Sequence, residues 1–152
     1  MKAAVLVESL TGNTWKAAEL IADDLTQEGW KITGLDRVRR PDLAAIQQAD
    51  IVLVGTWVHG LFVVGQAPWG VSTISNLPAM RGKQAAVFCT FALNPGNSLD
   101  KLTAAVQATG ADVVGGLALS RSKLDAHSEV FAGRLVDAVG AVADQSRRNE
   151  PA

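Results

Sequence analysis

Tyrosine is absent from the 152 residues, and cysteine occurs once, at Cys89. A lone thiol has no intramolecular partner, which excludes a disulfide-stapled framework and fits a reducing compartment. Charge is scarce as well: charged residues make up 19% of the chain, and 14 Lys and Arg stand against 15 Asp and Glu, a net of −1. That balance gives no electrostatic reason to bind nucleic acid or an anionic membrane. The scarcity is uneven. No formally charged side chain occurs from Ile51 to Met80, and none from Gln84 to Leu99. Long hydrophobic runs are also missing. Ala3–Val7 is much shorter than a signal sequence and is ended by Glu8, and Ile51–Val64 is broken by Gly55, His59 and Gly60. Neither approaches the roughly 20 residues that span a bilayer. The expectation is a soluble, cytoplasmic protein with no membrane segment.

What is abundant is small, apolar side chains. Hydrophobic residues make up 48% of the chain, which excludes intrinsic disorder. A chain this long builds one core and buries roughly 68–70% of its unfolded surface. Four runs, Ala3–Val7, Ile51–Val54, Ala85–Cys89 and Val113–Leu117, are continuously apolar rather than alternating. That is the pattern of strands buried on both faces of a parallel sheet. A fifth run, Trp30–Leu35, is more polar and reads as an edge strand. Helices fill the intervals. One starts near Asn13, carries Ala18, Ile21, Ala22 and Leu25 on one face and stops at Gly29. Another starts from Ser98 as N-cap, buries Leu99, Leu102 and Val106 and stops at Gly110. The last starts near Ser122, with Asp125 as a capping-box partner, and buries Phe131, Leu135, Ala138 and Val142. Periodicity is lost from Gln145, so residues 1–144 are expected to form one domain and 145–152 a flexible tail.

Strands alternating with helices imply right-handed crossovers, hence an α/β fold: a three-layer, doubly wound, five-stranded parallel sheet. In such sheets ligands bind beyond the carboxyl ends of the strands, where the winding reverses. Function is therefore expected in the loops Glu8–Asn13, Gly55–Gln66 and Thr90–Asn97. The first reads Ser9-Leu10-Thr11-Gly12-Asn13-Thr14 and leads directly into a helix. Outward N–H groups, the helix dipole and a glycine permitting close approach make this an anion site suited to phosphate. An ordinary N-cap is the alternative, although it uses one hydroxyl and leaves the others without a task. There is no G-x-x-x-x-G-K-[ST] and no G-x-G-x-x-G, which excludes a P-loop NTPase and a dinucleotide Rossmann site. A phosphoacceptor Asp is also missing at the end of the third strand, where Gly55-Thr56 stands, so a receiver domain is excluded.

Ser9-x-Thr11-Gly12-Asn13-Thr14 after strand one, Gly55-Thr56-Trp57 after strand three and Gly110-Ala111-x-Val113-Val114 entering strand five resemble the flavodoxins. The likeness covers nearly the whole chain, and Ser120–Lys123 is too short to hold the extra loop of the long-chain type. The resemblance implies the flavodoxin-like strand order 2-1-3-4-5 and one non-covalent FMN. Its phosphate would rest on the hydroxyls of Ser9, Thr11 and Thr14 and on the backbone of Leu10, Gly12 and Asn13. Thr56 would approach the ribityl phosphate end, Trp57 would stack on the ring, and Val58, His59 and Gly60 would follow along its edge. In place of the family's usual tyrosine, Phe91 or Leu93 would cover the second face, with backbone groups from Thr90 to Ala92 at the pyrimidine edge. No metal site and no catalytic acid or base is implied.

Two departures from the family matter. Val58 stands where a glycine is usual, and a β-branched residue resists the positive φ of a peptide flip that would stabilise the half-reduced flavin. The carboxylates that usually ring the flavin are missing, which implies a less negative second potential and an apolar face for redox partners, with weak salt dependence. Trp15 and Phe62 are either core or part of a docking rim. Asp36-Arg37-Val38-Arg39-Arg40 reads as a solvated basic loop, or as a contact for a partner or an NADPH phosphate. The leading reading is an electron carrier between a reductase and an acceptor enzyme, with a homodimer allowed. The alternatives are a small NAD(P)H-dependent FMN oxidoreductase acting on quinone-type acceptors, and a flavodoxin-fold interaction module that no longer binds FMN.

Overall fold

The structure, a computed structural model, describes residues 1–9, 12–58, 77 and 80–151. Along them run β1 (Lys2–Val7), α1 (Asn13–Gln27), β2 (Lys31–Arg37), α2 (Leu43–Gln48), β3 (Ile51–Trp57) and β4 (Gln84–Phe91). There follow α3 (Ser98–Gln107), β5 (Asp112–Ser120), a 3-10 turn (Arg121–Lys123) and α4 (Leu124–Asn149). The strands form one parallel sheet in the order β2-β1-β3-β4-β5. The doubly wound architecture expected from the sequence is the one observed.

The continuously apolar strands divide their side chains between two cores. Ala3, Val5, Val7, Ile51, Leu53, Ala86 and Phe88 face α1 and α4, where they meet Ile21, Leu25, Phe131 and Leu135. Leu6, Val52, Val54, Ala85, Val87 and Cys89 face the opposite way and join Ile46, Leu102 and Val106 of α2 and α3. Period-two alternation with both faces covered by helices explains why no polar residue interrupts these runs. Phe88 and Phe131 pack with ring centroids 5.7 Å apart and planes tilted by 56°, a geometry that aromatic pairs favour.

Local signals set the element ends. Gly29, at φ +84°, ends α1; its N–H donates to the Thr26 carbonyl and that of Trp30 to the Leu25 carbonyl. This paired closure needs a left-handed residue, which glycine provides without strain. Several details differ from the sequence reading. Asn97, not Ser98, is the N-cap of α3; Ser98 is its first helical residue and is fully buried. The Ser122–Asp125 capping box does not form, because the Ser122 hydroxyl pairs with that of Ser120 and the chain enters α4 through the 3-10 turn. In α4 the buried face is Phe131, Leu135 and Val139, while Val142 is exposed, so the core stripe follows an i, i+4 line. The helix also continues through Asn149, past Gln145, with residues 140–150 exposed. Finally, β5 is an edge strand and only half-buried over most of its length.

Candidate functional site

β2 lies on one side of β1 and β3 on the other, so the winding of the chain reverses between β1 and β3. In open sheets of this kind a ligand crevice lies beyond the carboxyl ends of the strands at such a reversal. Ser9, Gly12, Asn13 and Thr14 stand at the end of β1; Thr56 and Trp57 close β3, with Val58 following; Thr90 and Phe91 close β4. Four residues assigned from the sequence, Leu10, Thr11, His59 and Gly60, lie outside the described residues, as does Phe62.

Gly12 is the N-cap of α1, with φ +89° and no side-chain cap. Among the described residues, an added Cβ there would meet nothing within 4 Å. The Gly12 N–H donates to Ser9 Oγ at 3.1 Å, which fixes the loop, and the Gly12 carbonyl accepts the first helical bond from Lys16 N–H. No acidic residue occupies the first turn of α1. With no carboxylate in its first turn, the helix dipole at this end is not cancelled from within the helix.

Thr14 is buried, and its hydroxyl pairs with that of Thr90 at 2.8 Å. This bond ties the start of α1 to the end of β4 across 76 residues of sequence. Trp57 pairs in register with Thr90, and Val58 N–H donates to the Thr90 carbonyl at 2.9 Å. Trp57 is 9% exposed yet belongs to neither core cluster, whereas Val58 packs into the α2/α3 core. Thr56 is fully buried. Phe91 is half-buried against the α2/α3 core and lies beside Ser120 of β5. Beyond it Ala92 is exposed and Leu93 is 74% exposed. Of the two side chains assigned to the second ring face, Phe91 is therefore the one anchored to the protein. Cys89 is fully buried, and burial pushes its thiol up to about 12.

The glycine of Gly55-Thr56-Trp57 serves the core. A Cβ at Gly55 would stand 2.2 Å from the ring of Phe88, its register partner on β4.

Sequence reasoning missed the neighbourhood of Glu8. Glu8 is 2% exposed, its N–H donates to the Gly55 carbonyl, and its Oε1 accepts Arg39 N–H at 3.0 Å. Glu8 Oε2 lies 3.6 Å from Arg39 Nε. Arg37 ends β2, with its guanidinium 5.7 Å from the centre of the half-buried Trp15 ring, and Trp15 Nε1 donates to Glu19 Oε1. The basic segment after β2 is thus seated against the first loop rather than solvated throughout. The available signal was an acidic residue placed directly after a fully buried strand, which needs a partner.

Among the described residues, no group of three or more His, Cys, Asp and Glu gathers as metal ligands. Nor, among them, is any helix long and apolar enough to cross a membrane.

A family model for the flavodoxin domain matches residues 4–117. The chain belongs to the flavodoxin family. Solved structures agree at the level of fold. Oxidised flavodoxin 1 from Bacillus cereus is 24% identical, with a TM-score of 0.66 over 90% of this chain and 98% of that one. A cysteine-to-alanine mutant of flavodoxin from Pseudomonas aeruginosa is 19% identical, with a TM-score of 0.68 over 91% and 98%. A flavodoxin from Streptococcus pneumoniae TIGR4 is 23% identical, with a TM-score of 0.62 over 88% and 99%. No curated protein sequence matches the chain. The flavodoxin domain spans all five strands, from β1 into β5, and so includes every loop of the crevice.

Proposed function

We propose that this flavodoxin-domain protein binds one FMN non-covalently and carries electrons between a reductase and an acceptor enzyme. The observation that carries this reading is the N-terminus of α1, led by Gly12 and locked to β4 by the Thr14–Thr90 bond. The residues present fit the group. A phosphate is favoured by a helix dipole, close backbone approach at a glycine and no competing carboxylate in the first turn, and α1 offers all three. When bound, FMN supplies the electron-accepting and electron-donating chemistry. The chain's own part is to hold and to shield. Ser9 and Thr14 brace the cradle, Trp57 supplies an aromatic surface at the end of β3, and Val58 and Phe91 close the crevice against the α2/α3 core.

Partners would approach over the ends of β3 and β4, where residues 56–58 and 90–97 carry no formal charge. The test is the absorption spectrum of the purified protein followed by turnover assays. A flavin spectrum, with reduction by NADPH only when a reductase is added, supports the carrier. NADPH oxidation by the protein alone replaces it with an FMN oxidoreductase. A colourless protein that takes up no added FMN leaves a flavodoxin-fold interaction module.

A further inference from the structure

The carrier reading leaves the Arg37–Arg40 turn without a task, although two of its side chains are held against the cradle. Glu8 is the last residue before Ser9, and its side chain is 3% exposed. Its backbone bond to Gly55 fixes it at the floor of the crevice between β1 and β3. A buried carboxylate immediately before a phosphate loop repels the anion that loop is shaped to receive, and weak screening inside the protein enlarges the effect. Arg39 meets that carboxylate twice, through its N–H at 3.0 Å and its Nε at 3.6 Å, while its side chain remains 56% exposed. From the same turn, Arg37 lies over Trp15 in the first turn of α1.

We propose that Arg39, acting on Glu8, determines the selectivity of the cradle for a phosphorylated flavin over its dephosphorylated form. By cancelling the buried charge, Arg39 leaves the helix dipole and the flanking Arg37 to set the sign of the field at the loop. Arg39 is a positioning and neutralising residue rather than one required to touch the phosphate. The inference rests on the FMN reading.

The experiment compares Kd values for FMN and riboflavin, by quenching of flavin fluorescence, in the wild type, Arg39→Gln, Arg39→Lys, Glu8→Gln and the Glu8→Gln/Arg39→Gln double variant. Arg39→Gln is expected to weaken FMN binding about tenfold with little change for riboflavin, the size expected of an unmasked, partly buried charge. Arg39→Lys retains most of the affinity. Glu8→Gln, whose amide oxygen still accepts the Arg39 N–H, binds FMN at least as well as wild type, and the double variant recovers most of the loss. Equal weakening of FMN and riboflavin in Arg39→Gln, or no recovery in the double variant, overturns the proposal while leaving FMN binding intact. Should Arg39→Gln fail to fold, the wild type alone decides: its FMN-to-riboflavin affinity ratio should fall as salt screens the arginines, and a ratio independent of salt overturns the proposal. A wild type that binds neither flavin removes the FMN reading itself.

Discussion

Two glycines in neighbouring environments separate packing from conformational need at the scale of the residue. Gly55 has no left-handed backbone, but the Phe88 ring fills the space where its side chain would be. Gly115 on β5 faces a cavity of about 200 Å³ lined in part by Phe131, Leu135 and Ala138, and an added Cβ there meets nothing within 4 Å. Gly55→Ala should therefore lose about 1–3 kcal/mol through overpacking. Gly115→Ala should be neutral or gain up to about 1 kcal/mol by restricting the unfolded chain. Urea unfolding of both variants checks the pair; equal effects would contradict the assignment. Glycine at 55 was legible as part of a motif, but its reason was not, because Phe88 is 33 residues away in sequence and adjacent only through strand register. Thr14 and Thr90 illustrate the same limit: each was recognised in its own loop, and the bond between them required the fold.

Elements add constraints that single residues do not carry. Val58 is held by its N–H bond to Thr90 and by burial in the α2/α3 core, so a peptide flip there must break a bond and disturb packing. Reductive titration of the FMN-loaded protein should accordingly pass with little blue radical, and Val58→Gly should increase it; a large radical band in the wild type would contradict this. Across the α1–α4 contact, burial raises the carboxyl of Asp24 above 3.8, the neighbouring Glu129, Asp23 and Asp125 add to the rise, and a hydrogen bond with Ser128 opposes it. A carboxyl raised in the folded state destabilises when ionised, so stability is gained as pH falls through its folded value. Asp24→Asn should raise Tm slightly at pH 7, with the gain vanishing near pH 3; an undiminished gain at low pH would contradict the cause. Strand and helix order were legible because hydrophobic period and punctuation agree. The exact stripe of α4 was not, since Ala138, Val139 and Val142 are all apolar and only packing against the sheet and α1 distinguishes the buried Val139 from the exposed Val142.

For the whole molecule, the near-neutral charge is a matter of placement. Arg37–Arg40 stand at and beyond the end of edge strand β2 and Arg121 and Lys123 beyond edge strand β5, while Glu8 at the end of β1 is buried against Arg39. The sequence stretches 51–80 and 84–99 carry no formal charge. A partner docking over the ends of β3 and β4 should reduce or oxidise the flavin at rates that change less than about threefold between low and high salt, whereas steered encounters fall far more steeply. Stopped-flow rates across a salt series would measure this, and a steep decline would move the docking site to a charged flank. The absence of charge was legible from the sequence alone; the seating of Arg39 on Glu8 was not, because it joins the ends of two strands that only the sheet brings together.

The central claim, that the N-terminal end of α1 and the strand ends around it hold FMN, is tested most directly by titrating the flavin-free protein with FMN and following its fluorescence. The expected result is saturable one-to-one quenching with a Kd of about 1 μM or below. No quenching at about 100 μM FMN, a concentration that captures even weak binding, would contradict it.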